Sequence, residues 1–199
     1  MIDSPEEPVA EHINRLKHLA LSKCIASIDP SKKLPANVFV GEWDSFYFFV
    51  GIVFITRSLV PAAQVMQDDE SSKIVCAVDI ELSKPWTKES AKPVFFDRQY
   101  SHLNWHQLIR DGWGIYEPDR FVVTSEVGNW CIFADLPNDV GVIAFRGISP
   151  EAQLEARKIL WAHALEQLCA PVGGADPYDN ERFAWKKELR TNYGDATKV

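Results

Sequence analysis

Two histidines spaced by three residues, His102 and His106 in H-L-N-W-H, come closest to a metal-binding pattern in this 199-residue sequence. On a helix such residues share a face, so both imidazoles could reach one ion, with Asp97 or Asp111 adding a carboxylate. However, Leu103 stands where the zinc-protease pattern places its glutamate, and no third ligand follows downstream. The pair is therefore read as polar side chains beside an apolar face of Trp105, Leu108 and Ile109, and no metal or cofactor is expected. A thiol nucleophile must be partly exposed beside a cation. Cys24, Cys76, Cys131 and Cys169 instead fall in apolar periodic segments without C-x-x-C spacing, so reduced, buried thiols are expected. His163 lies on the far side of its helix from Cys169 and cannot pair with it. There is no G-x-S-x-G elbow and no G-x-x-x-x-G-K-[ST] loop. The G-x-G at Gly112 and Gly114 has Glu117 where a third glycine belongs. Carboxylate pairs such as Glu42/Asp44, Asp79/Glu81 and Glu117/Asp119 could flank a glycosidic bond, but any acidic surface carries such pairs.

The formal net charge of −7 argues against nucleic acid, which needs a cationic footprint. The stretch MIDSPEEPV is acidic and lacks an apolar core, so no signal peptide is expected. The most apolar run, Phe46 to Ile55, is too short to span a bilayer. Cytoplasmic location and no membrane association are the resulting expectations. Residues 1–199 read as a single globular domain, with a frayed tail after Gly194.

The elements that would position any site centre on a three-strand meander at about 120–147. Phe121 to Val127, Trp130 to Asp135 and Val140 to Arg146 are separated by the turn signals Gly128-Asn129 and Leu136-Pro137-Asn138-Asp139. Placing Val127 opposite Trp130 and Asp135 opposite Val140 gives one almost wholly apolar face: Phe121, Val123, Ser125, Trp130, Ile132, Ala134, Ile143 and Phe145. The other face is apolar in the middle (Val122, Thr124, Cys131, Phe133, Val142, Ala144) and charged at its rim (Glu126, Asp135, Arg146). A helix is expected over its centre, with an exposed recognition surface as the alternative.

Val9 to Ile28 reads as an amphipathic helix with Val9, Ile13, Leu16, Ala20, Cys24 and Ile28 on its buried face. Phe46 to Thr56 reads as a strand buried on both sides, with a buried helix as the alternative, Pro61 to Ser72 as mixed signals ending in an exposed acidic turn, and Lys73 to Leu82 as a half-exposed strand. Ser149-Pro150 opens a helix with Leu154, Leu160, Trp161, Leu165 and Leu168 as its buried stripe, running on to Pro171. A further helix is expected from Asp179 to Arg190. This order predicts an α+β fold, an antiparallel sheet packed against N- and C-terminal helices.

The functional expectation is a non-catalytic, cytoplasmic protein-binding module: a small acidic protein that masks a basic partner. Glu126, Asp135 and Asp139 would form the docking rim, with Trp113, in a Gly-flanked loop, as an anchor. Immunity proteins that neutralise bacterial toxins have this general character, an analogy of character alone, since no family motif is present. The alternative expectation is an enzyme or small-ligand binder whose pocket is lined by Trp43, His102, His106, Trp113 and Tyr116.

Overall fold

The β-branched and aromatic runs gather into one sheet. A computed structural model describes residues 9–50, 58–80, 87, 91–98, 119–164 and 187–193. Its elements are α1 (Val9–Ser27), β1 (Ser45–Val50), α2 (Leu59–Glu70), β2 (Val75–Asp79), β3 (Pro93–Phe96), β4 (Arg120–Ser125), β5 (Trp130–Asp135), β6 (Val140–Phe145) and α3 (Pro150–Leu160), with a 3-10 turn at Leu136–Asn138. Residues 187–193 are also helical. The six strands lie in the order β1-β6-β5-β4-β2-β3, and every neighbouring pair is antiparallel. The fold is α+β. No helix of the described residues is long and apolar enough to cross a membrane.

The meander is β4-β5-β6, and its side chains divide between two cores along the faces expected. Phe121, Val123, Trp130, Ile132, Ala134, Ile143 and Phe145 pack against α2 and α3. Val122, Cys131, Phe133, Val142 and Ala144 pack against Ala20, Leu21 and Cys24 of α1 and against Leu189 and Tyr193. Tyr193 ties this second layer down: its hydroxyl accepts from the Val38 N–H at 3.1 Å and donates to the Ala36 carbonyl at 3.0 Å. Its ring meets Phe39, Phe46 and Phe48 edge-on.

Several expectations change. The β4–β5 turn is wider than a two-residue hairpin. Val123 pairs with Ile132, which leaves residues 126–129 as the loop, and Gly128 there has φ +79°. The Ser125 hydroxyl accepts from the N–H groups of Val127 and Gly128, which favours the wider turn. β2 is not half-exposed: Val75 and Ala77 join the first core while Cys76 and Val78 join the second. The segment read as mixed signals and a turn is α2. Pro61 sits in its first turn, where a missing N–H costs nothing. In α1 the N-terminal part of the expected stripe is open, with Val9 76% exposed and Ile13 also exposed. α3 stops at Leu160, and its buried stripe is Ala152, Ala156 and Leu160 rather than one containing Leu154 and Trp161. Leu165, Leu168 and most of the helix expected at 179–190 lie outside the described residues.

Two strands form the edges of the sheet. β3 opens with Pro93, which has no N–H to offer a further strand. At the other edge, the N–H and carbonyl of Phe48 bond to the carbonyl and N–H of His163, at 2.8 and 2.7 Å.

Candidate functional site

The residues expected to form a docking rim do not converge. Both carboxylate oxygens of Glu126 accept backbone N–H groups, from Lys73 at 2.6 Å and Ile74 at 3.0 Å, so Glu126 fastens the start of β2. Asp135 is 2% exposed; it stands across the strand pair from buried Arg120 and accepts from the Asn138 amide at 2.8 Å. Asp139 is exposed, in a left-handed conformation with φ +52°. Glu126 follows the end of β4 whereas Asp135 pairs with its beginning, which separates them by roughly 20 Å at ~3.3 Å per residue. The expectation that turns expose all three carboxylates on one surface is thus corrected, because one is buried, one is bonded internally and the two lie at opposite ends. Trp113, His102, His106 and Tyr116 lie outside the described residues. Trp43, expected in the alternative pocket, is a core residue: its indole N–H donates to the Val40 carbonyl at 3.1 Å and Arg146 lies over its ring at 4.7 Å.

Other carboxylates are engaged in the same way. Asp44 accepts from the Gly147 N–H at 2.8 Å, and Asp69 from the Ser149 N–H at 2.9 Å. Glu70 accepts from the Trp130 indole at 2.9 Å and the Asn129 N–H at 3.3 Å, and burial raises its pKa above the usual carboxyl range despite these donors. Cys24, Cys76 and Cys131 are free and buried, as expected, while Cys169 lies outside the described residues. Burial pushes the Cys24 and Cys131 thiols well above their ordinary value, the wrong direction for a nucleophile.

The surface that stands out instead is built on α3. Ser149 caps its N-terminus, accepting from the Ala152 N–H at 3.3 Å, and Pro150 fills the first helical position. The small residues Ala152 and Ala156, with Leu160, let α3 lie close on the first core beside α2. That orientation turns Leu154 and Lys158 outward and leaves Arg157 half-buried. The helix then ends in a Schellman motif. The Trp161 N–H bonds to the Lys158 carbonyl at 3.3 Å and the Ala162 N–H to the Arg157 carbonyl at 2.8 Å, with Ala162 buried beneath. Trp161 therefore occupies the left-handed position, φ +54°, where glycine is usual, and its side chain is 72% exposed. The next residue but one, His163, is held by its backbone to β1.

Leu154, Arg157, Lys158, Trp161, Ala162 and His163 together line an open groove of about 370 Å³. The Arg157 guanidinium lies over the Tyr47 ring, 3.7 Å from its centroid, a cation–π contact that restrains it. Comparison with protein-family models finds no match, and searches of the curated proteins and of the solved structures find none either. The arrangement can hold an apolar side chain against indole and leucine while cations flank it. Among the residues lining the groove there is neither a carboxylate nor a thiol to act as base or nucleophile. The sequence pattern alone points Leu154 and Trp161 into the core, and the structure exposes both. The available signal was the i, i+4, i+8 run of Ala152, Ala156 and Leu160, which defines a tighter face than the larger side chains do.

Proposed function

We propose that this chain is a non-catalytic protein-binding module that docks a partner in the α3 groove. One observation carries the reading: a tryptophan, 72% exposed, occupies a rigid helix cap in a backbone conformation that costs a bulky residue energy. Tryptophan and arginine are the residues most often found to dominate interface energy, and a large exposed aromatic beside other apolar surface marks an interaction site. The helix cap and the bridge to β1 hold the groove rigid, so little side-chain freedom would be lost on binding. The net charge of −7 would steer a partner of net positive charge toward the molecule, as a masking protein requires, whichever segment is gripped. The three described cysteines are free, which suits a reducing compartment such as the cytoplasm.

The test is site-specific photo-crosslinking in the native cells, with a benzophenone amino acid at position 161 and, separately, at 139. A discrete protein adduct from 161 and none from 139 is the expected result. An adduct from 139 alone would restore the meander rim as the docking surface, and silence at both positions would remove the proposal.

A further inference from the structure

We infer that the segment gripped by the α3 groove is an acidic, apolar stretch of the partner; this rests on the protein-binding reading above and names the chemistry of the occupant. Among the described residues Arg157 makes no ion pair with a carboxylate and its buried Nε–H has no acceptor; its contact is the Tyr47 ring. Lys158 has only Glu155 at 3.8 Å, and both side chains are more than half exposed (63% and 56%), so solvent screens the pair and leaves the ammonium available. His163 holds β1 through its backbone, and its side chain is exposed at the groove. Two cations and an imidazole therefore surround the apolar floor of Leu154 and Trp161, on a protein whose overall charge is −7. A basic segment would set like charges against Arg157 and Lys158. A carboxylate flanking an apolar side chain would neutralise them while the side chain covers the indole. An extended polyanion, whether an anionic bilayer or nucleic acid, would also meet Glu151 and Glu155, which are exposed on the same helix, and the negative field of the whole chain. Discrete carboxylates on a protein segment fit that pattern; a continuous sheet of phosphates does not.

The experiment is selection from a random-peptide phage library on the full chain, with counter-selection on Trp161→Gly, a change that suits the left-handed cap. The expected outcome is enrichment, dependent on Trp161, of sequences with Asp or Glu flanking Trp, Phe or Leu. A synthetic peptide of the enriched sequence should then bind roughly tenfold more weakly to Arg157→Gln, the range of one charge-assisted hydrogen bond. Lys158→Gln, a change at an exposed position, should likewise weaken binding, and both losses should shrink at high salt. Trp161-dependent enrichment of Lys- or Arg-rich sequences would overturn the inference and leave the protein-binding reading standing. The absence of any Trp161-dependent sequence would overturn both. Phosphatidylserine vesicles retained by the chain but not by Trp161→Gly, or sedimentation showing a Trp161-dependent dimer, would replace the acidic segment with a bilayer or a second copy and overturn it as well.

Discussion

Trp161 and Glu70 are each held at some cost to the fold, for opposite ends. A tryptophan in the left-handed region carries a steric penalty of roughly 1–2 kcal/mol that glycine escapes. Its indole is exposed, so little packing is lost on removal. Trp161→Gly should therefore leave the urea midpoint unchanged or raise it by up to about 1 kcal/mol of stability, while abolishing partner binding. A clear destabilisation would show that the indole packs on something essential. Glu70 is the opposite case, a half-buried carboxylate. Burial raises its folded pKa above the unfolded value, so its contribution is most favourable at low pH and is lost as pH rises through the raised value. Urea unfolding of the wild type and Glu70→Gln, from pH 4 to neutrality, should show the difference shifting in favour of the glutamine variant as pH rises. A difference that is flat with pH would mean that the donors around Glu70 offset burial completely.

Among the elements, β6 and β1 meet through a glycine. Gly141 pairs with Phe49, and a Cβ on Gly141 would stand 2.1 Å from the Phe49 ring. Gly141→Ala should cost about 1–3 kcal/mol by overpacking, and Phe49→Leu in the same chain should recover part of it; equilibrium denaturation of the two variants and their combination checks this. The same strands show what was legible beforehand. The faces of the meander were read correctly although the β4–β5 turn was placed too tightly. The pairing differs by two residues, and side chains alternate with a period of two, so each kept its face. α2 was missed for a physical reason. Its start holds Pro61, and its end holds Asp68, Asp69 and Glu70, which oppose the helix dipole. What offsets them is tertiary and invisible in sequence: Arg98 pairs with Asp68 at 2.8 Å, Ser149 with Asp69 and Trp130 with Glu70. The Trp161 groove was missed because hydrophobicity was weighed above size. Alanine, not leucine or tryptophan, sets how closely α3 can approach the sheet.

At the scale of the whole molecule, both faces of the sheet are covered by helices, and the three described cysteines lie in one of the two cores. Cys24, on α1, donates its S–H to the carbonyl of Cys76 on β2 at 3.3 Å. A thiol reagent can reach them only when α1 leaves the sheet. Labelling of Cys24, Cys76 and Cys131, read peptide by peptide, should be negligible in native protein and should appear together across the urea transition. Early labelling of Cys24 and Cys76 ahead of the global transition would reveal α1 as a separately unfolding layer.

The two edges of the sheet are each blunted at one position, by different means. At β3 the blunting is written into composition, because Pro93 has no hydrogen to give. At β1 it is conditional: His163 covers Phe48 only while residues 161–164 stay docked. An uncovered strand edge is a template on which other chains stack into cross-β fibres. The residue next but one to the proposed anchor thus guards against templated growth. A partner that levered Trp161 outward would release that guard. One that settles into the groove as it stands leaves Phe48 bridged to His163 and that part of the edge covered.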